Sequence, residues 1–230
     1  MTNINEIINE LFNSIENNDL EKVQKIITAK TELLEQQLEE GATPLMQAAT
    51  YGHFKIVKFL VDVGADVNKY DAYGSSSFTE AANNKHWDIL NYLAPLTEQE
   101  FKETTLFIAI SDGNIEAVNA LISLKIDINI HTKGVWNEKG FTPLIIAVQE
   151  KETQIAKLLL EAGANPNLPE EDTGGTPLIY AAKTGSLEII NLLLKFGANP
   201  NIRDSYNENA LMKAEKFGNR AIVEVLSKYS

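Results

Sequence analysis

The sequence predicts an all-α repeat solenoid of about seven helix-turn-helix units with short β-hairpin fingers. Three observations predict it. One motif recurs along the chain with a period of about 33 residues. Threonine-proline pairs and glycines stand where helices would begin and end, and the segments between them carry apolar stripes at helical spacing. Because one unit cannot bury its apolar face alone, the units must stack on their neighbours.

The repeat is clearest in three segments that align without a gap. The first runs from Gly41 to Asn68 and reads GATPLMQAATYGHFKIVKFLVDVGADVN. The second, from Gly140 to Asn167, reads GFTPLIIAVQEKETQIAKLLLEAGANPN, and the third, from Gly174 to Asn201, reads GGTPLIYAAKTGSLEIINLLLKFGANPN. Weaker copies fill the intervals between them. We therefore expect a single domain over 1–230 with approximate units 5–40, 41–73, 74–101, 102–139, 140–173, 174–206 and 207–230.

The unit that begins at Gly41 shows why each element should form. Thr43 can cap the first helix with its hydroxyl, and Pro44 follows at a first helical position, where its missing N–H costs nothing. Gly52 ends this helix, because glycine adopts the left-handed conformation cheaply. The second helix carries the apolar stripe of residues 56–63, and Gly64 terminates it.

These segments resemble the ankyrin repeat family, whose pattern is G-x-TPLHxAA-x-x-G followed by LL-x-x-GAD-x-N. The resemblance covers essentially the whole chain. It implies a protein that binds other proteins along a concave face made from finger tips and first helices. The chain departs from the pattern at the histidine of TPLH, where Met46, Phe107, Ile145, Ile179 and Met212 stand. This departure predicts a more apolar inner packing layer.

Two junctions depart from the regular spacing. The first is five residues short, and Pro95 should stop the preceding helix there. Thr97 and Glu100 match a capping box, which favours a short extra helical turn, with a polar loop as the alternative. The second junction is five residues longer than the regular spacing and predicts a projecting finger that carries Trp136. Trp136 is either a binding anchor or a side chain that folds back on its own loop.

Composition narrows the classes of function. The net charge is −12, with 32 acidic and 20 basic residues, so phosphate backbones are repelled and no nucleic-acid partner is expected. The charge favours a basic protein partner, although acidity also serves solubility alone. No apolar run reaches the roughly 18 residues of a membrane span, and the acidic, amphipathic N-terminus does not match a secretory signal. We expect a cytoplasmic monomer, or a protein delivered into a host cell if it is an effector.

The sequence carries no constellation typical of catalysis. Cysteine is absent, and no two of the three histidines have metal-ligand spacing on one element. His53 and His86 share one repeat position, between the two helices of a unit, which favours a structural role. We therefore predict no enzyme activity, no metal and no cofactor.

The predicted binding surface combines aromatic side chains with carboxylates, which is typical of protein-binding surfaces. For each aromatic, packing on a neighbouring finger is the alternative. The protein would be a scaffold, or an inhibitor, immunity or effector protein that masks an enzyme. The predicted partner-binding residues are Tyr51, Tyr73, Asp112, Trp136, Glu138, Phe141, Glu150, Asp172, Tyr206 and Phe217.

Overall fold

The computed structural model describes residues 4–132 and 140–229, and within them the chain folds into seven successive pairs of α-helices. Short 3-10 helices follow the first and last pairs, at Thr31–Glu35 and Ser227–Tyr229. The first helices of the pairs are α1 (Ile4–Glu16), α3 (Pro44–Thr50), α5 (Ser77–Asn83), α7 (Gln99–Ser111), α9 (Pro143–Gln149), α11 (Pro177–Thr184) and α13 (Ala210–Lys216). The second helices are α2 (Leu20–Ala29), α4 (Phe54–Asp62), α6 (Trp87–Leu93), α8 (Ile115–Ser123), α10 (Thr153–Glu161), α12 (Leu187–Lys195) and α14 (Arg220–Leu226).

The helices form two compact units, residues 1–105 and 106–230. In the first unit, α3 packs between α1 and α5, and α4 packs between α2 and α6. In the second unit, α11 packs between α9 and α13, and the second helices α8, α10, α12 and α14 pack in sequence order. Like elements therefore lie side by side within each unit, which confirms the repeat solenoid.

The predicted caps form at the three clear copies of the motif. The hydroxyls of Thr43, Thr142 and Thr176 each accept a hydrogen bond from the backbone N–H three residues later, at 3.2, 3.2 and 3.4 Å. Proline occupies the first turn of all three helices. The pair Ala48 and Ala49 has no exposed surface, as expected of small residues where neighbouring helices approach closely.

In several pairs, the turn between the two helices is tied to the next pair by one side chain. His86 Nε2 lies 3.0 Å from the carbonyl oxygen of Thr50, and its ring packs on Gly52. In the second unit, Asn219 occupies the equivalent position and donates to the carbonyl of Ala182 at 2.7 Å. These contacts agree with a structural role for this repeat position.

The short junction contains no finger. After α6 the chain makes a compact turn, and α7 begins at Gln99 and runs 13 residues, against 7 for α3 and α5. The Thr97 hydroxyl donates to the carbonyl of Leu93 at 3.0 Å, and Glu98 separates Thr97 from the first residue of α7, so Thr97 is not at the N-cap position. The capping box proposed for Thr97 and Glu100 is therefore wrong. The helical alternative is right, but the extra turn belongs to α7.

Candidate protein-binding surface

In the first unit, the finger of residues 69–75 is a tight turn that presents Tyr73 to solvent. Asp71 Oδ1 accepts hydrogen bonds from two backbone N–H groups of this turn, both at 2.9 Å, and one of them belongs to Tyr73. A single antiparallel bridge joins Tyr70 to Ser76. The expected β-hairpin is thus reduced to one bridge, because a side chain accepts from N–H groups that a longer strand ladder would use.

In the second unit, the finger of residues 168–175 is organised by the carboxylate of Glu170, which is only 1% exposed. It accepts hydrogen bonds from the backbone N–H groups of Asp172, Thr173 and Gly175 at 2.6, 2.8 and 3.0 Å, and from the Thr173 hydroxyl. Burial alone would raise the pKa of Glu170, but these donors outweigh it and hold the pKa below its usual range. Glu170 therefore stays ionised inside the finger.

This lowered pKa predicts a loss of stability in acid. A carboxyl group whose folded pKa is lowered stabilises the fold above its unfolded pKa, and this contribution disappears as pH falls through the folded value. As the pH falls below about 4.5, we expect the urea midpoint of unfolding to fall more steeply for the unsubstituted protein than for Glu170→Gln. The variant has no titrating group at position 170. Urea unfolding followed by circular dichroism between pH 7 and pH 3 measures both slopes. Equal slopes would contradict the assignment.

The next finger, residues 202–208, is anchored by a buried ion pair. Asp204 is 8% exposed, and its Oδ2 lies 2.9 Å from Lys213 Nζ. Lys213 also pairs with Glu208, which pairs with Lys216 at 3.1 Å. Burial opposes the charge on Asp204, but the bond from Lys213 and the N–H of Glu208 hold its pKa below normal. Burial likewise opposes the charge on Lys213, but its two carboxylate partners raise its pKa.

A cavity of about 240 Å³, here called the finger pocket, adjoins both fingers and the helices α11 and α13. The wall formed by Tyr180 and Gly175 is closely packed, because a Cβ atom on Gly175 would lie 2.8 Å from Tyr180 Cε2. Burial, followed by the negative charge of Glu170, raises the pKa of Tyr180 to about 12, so its hydroxyl stays protonated. The finger pocket is lined by Asp172, Thr173, Gly175, Ile179, Tyr180, Lys183, Asp204, Tyr206 and Lys213.

A second, smaller cavity of about 190 Å³ lies beside α9. Glu150, one of the predicted partner-binding residues, forms part of its wall and is exposed. The cavity is lined by Phe107, Ser111, Thr132, Phe141, Ile146, Gln149 and Glu150.

The structure places most of the predicted residues at the surface. Asp172 and Tyr206 come together at the finger pocket. The exposed fractions of the aromatic side chains are 40% for Tyr51, 64% for Tyr73, 69% for Tyr206 and 50% for Phe217. The carboxylates of Asp112, Glu150 and Asp172 are exposed as well.

The other three predicted residues are one buried side chain and two residues that the structure does not describe. Phe141 is 5% exposed, and its ring packs edge-on against Tyr180 at a centroid distance of 5.4 Å. The prediction that Phe141 is a surface anchor is therefore wrong, because the next first helix in the stack supplies an aromatic partner that buries it. Trp136 and Glu138 lie outside the described residues.

One set of residues at these cavities was not predicted from the sequence. In six of the seven first helices an alanine recurs at the same repeat position, and the missed residue is the one just before it. Tyr180 and Lys213 hold this position at the finger pocket, and Ile146 holds it at the second cavity. A signal was present in the sequence. Across six copies the alanine never changes, whereas the preceding residue takes five different types, which is typical of a position facing a variable surface. The six residues are Gln47, Glu80, Ile108, Ile146, Tyr180 and Lys213.

Among residues 4–132 and 140–229, no cluster of three or more histidine, aspartate or glutamate side chains is arranged to hold a metal ion. In the same parts of the chain, no helix combines the length and the apolar character needed to cross a membrane.

Comparison with known proteins identifies the repeat. The family model described as ankyrin repeats (3 copies) matches residues 11–100, 81–170 and 168–230. The putative ankyrin repeat protein YahD of Escherichia coli is 29% identical over 142 residues, which span 57% of this chain and 69% of YahD. The chain covers only 16% of the potassium channel AKT2/3 of Arabidopsis thaliana, at 30% identity over 55% of its own length. It covers 21% of the palmitoyltransferase AKR1 of Lachancea kluyveri, at 28% identity over 65% of its own length.

Solved structures agree with the family model. The ankyrin repeat domain of Bcl-3 superposes with a TM-score of 0.81, at 23% identity over 95% of this chain and 97% of that one. The ankyrin repeat domain of human ASB11 gives a TM-score of 0.70, at 22% identity over 94% of this chain and 96% of that one. At such identities the likeness shows the fold alone. The ankyrin repeats that the family model matches are general modules for protein-protein interaction. By motif, helix packing and family match, the chain belongs to the ankyrin repeat family.

Proposed function

We propose that this chain is a protein-protein interaction module that binds a basic partner protein through its fingers and first helices. The finger pocket carries the proposal, because it is a cavity on this surface between the exposed carboxylate of Asp172 and the exposed ring of Tyr206. We propose further that residues 1–230 act as one monomeric domain in the cytoplasm, and that no catalytic step accompanies binding.

The chemistry of the surface supports this function. A large aromatic side chain exposed beside a cavity offers apolar area that a partner can bury, and such residues dominate the binding energy of many interfaces. Phe217 lies one residue beyond the end of α13, the helix that supplies Lys213 to the finger pocket. The net charge of −12 would speed the approach of a positively charged protein.

Photo-crosslinking tests the location of the binding surface. We expect p-benzoylphenylalanine in place of Tyr206 or Phe217 to form a covalent adduct with one basic protein in the cells that produce this chain. The matched control is Tyr229, which is 51% exposed but lies in the 3-10 helix after α14 and belongs to no finger or first helix. Mass spectrometry of the adducts identifies the partner. Adducts at position 229 but not at 206 or 217 would refute the proposed surface, and an acidic partner would refute the charge argument.

A further inference from the structure

We infer that the finger pocket receives an arginine side chain of the bound partner. This inference rests on the proposed function, because it names the chemistry that one part of the binding surface takes. The volume of about 240 Å³ suits it, since it is many times the space that a single buried water needs and so admits a large side chain.

The carboxylates beside the finger pocket leave negative charge uncompensated. Glu170 is held entirely by neutral donors, namely backbone N–H groups and a threonine hydroxyl, so its charge is stabilised but not cancelled. Asp172 is exposed at the pocket wall, and no cation among the described residues pairs with it. Both groups favour a positively charged ligand atom.

The lysines of the finger pocket do not cancel the negative charge of Glu170 and Asp172. Lys213 is engaged by Asp204 and Glu208, and Lys216 also contacts Glu208, so these two cations and two carboxylates neutralise one another. Lys183 is the remaining lysine of the wall; it is exposed and forms no ion pair within the described part of the chain. Against this one exposed cation stand two carboxylates, Asp172 in the wall and Glu170 in the adjoining finger.

The aromatic side chains favour arginine over other cations. Lys213 Nζ lies 5.6 Å from the centroid of the Tyr206 ring, so this ring already interacts with a cation, while 69% of the side chain remains exposed. A guanidinium group can stack on a tyrosine ring and at the same time donate two parallel hydrogen bonds to a carboxylate, which an ammonium group cannot do. Tyr206 and Asp172 line the same cavity and supply these two partners.

Four peptides of equal length with a central arginine, lysine, glutamate or leucine between glycines test the inference. Each is titrated into the isotopically labelled protein, and the amide signals of Thr173, Gly175 and Tyr206 are followed by NMR. We expect the arginine peptide to bind most tightly. Asp172→Asn should weaken its binding about two- to fivefold, and Lys183→Gln should strengthen it by a similar factor, as for exposed ion pairs. The glutamate peptide should respond to both substitutions with the opposite sign.

Glu188→Gln is the matched control, because it removes one exposed carboxylate from the start of α12, outside the finger pocket, and should change nothing. Tighter binding of the glutamate or leucine peptide overturns the inference. So does arginine binding that is insensitive to Asp172→Asn, or a lack of shifts at the three amides for every peptide. None of these results alters the crosslinking outcome at position 206, so failure of the arginine assignment and failure of the proposed function are distinguishable.

Discussion

Lys213→Ala is expected to lower the free energy of unfolding of the second unit by about 3 kcal/mol. The side chains of Lys213 and Asp204 are only 13% and 3% exposed, so removal of the lysine leaves a buried carboxylate without its cation. Two backbone N–H groups, from Tyr206 and Glu208, still bond Asp204, but they do not cancel its charge. Urea unfolding at pH 7 measures the loss.

Lys216→Ala is the matched control for this substitution. It lies on the same helix and pairs with the same Glu208, but its side chain is 61% exposed, so water replaces the lost contact. Asp204→Asn combined with Lys213→Ala should recover part of the loss, because no charge is then buried. Equal effects of the two lysine substitutions would contradict the argument.

The pH dependence of this effect has a definite sign. In the unsubstituted protein, Asp204 has a lowered pKa, so its contribution is present above the unfolded value and is lost as pH falls through the folded value. Without Lys213, burial is expected to raise that pKa instead. The deficit of Lys213→Ala should therefore shrink as the solution becomes acidic.

Gly52→Ala is expected to cost about 2 kcal/mol, for two physical reasons that a control can separate. The backbone at Gly52 has φ of +73°, which strains any residue with a Cβ atom. The added Cβ would also lie 2.4 Å from Cε1 of His86, so the imidazole must move and weaken its contact with the Thr50 carbonyl. Thermal or urea unfolding of the protein measures the cost.

Gly218→Ala isolates the cost of the backbone conformation. Its φ is +73°, as at Gly52, but apart from its chain neighbours no atom lies within 4 Å of the added Cβ, so only the conformational cost of roughly 1 kcal/mol remains. A double-mutant cycle of Gly52→Ala with His86→Ala should show coupling, because removal of the ring also removes the clash. Equal losses at the two glycines, with no coupling to His86, would show that the steric contact is unimportant.

The helices and their caps could be predicted because their causes are local. Thr43 and Pro44 act within one turn, so three residues of sequence decide where the helix begins. The burial of Phe141 could not be predicted in this way. Its partner Tyr180 is 39 positions away and contacts it only after two neighbouring repeats have packed together. The exposure of most of the predicted partner-binding residues could be predicted, because it follows from the position that each occupies in the repeat.

The finger pocket could not be predicted from the sequence, also because it depends on contacts between neighbouring repeats. Its wall needs Tyr180 from one first helix and Lys213 from the next, together with residues of both fingers. Motif matching assigns each of these to a repeat position, but the volume between them depends on how the side chains pack. The capping box at Thr97 was expected wrongly because a motif match does not reveal that α7 begins at Gln99, one residue too far along the chain for Thr97 to be its N-cap.

Because Glu170 bonds the backbone of its finger, the conformation of this loop is independent of the side chains that the loop presents to a partner. Its bonds run mainly to main-chain N–H groups, which every amino acid except proline provides, so the course of the loop does not depend on which side chains stand at Glu171 and Asp172. Both of these side chains are exposed, although the carboxylate of Glu171 also lies 3.6 Å from His131 Nδ1. Evolution, or a library randomised at these two codons, can therefore exchange the outward chemistry of the loop for another while its frame keeps the same geometry.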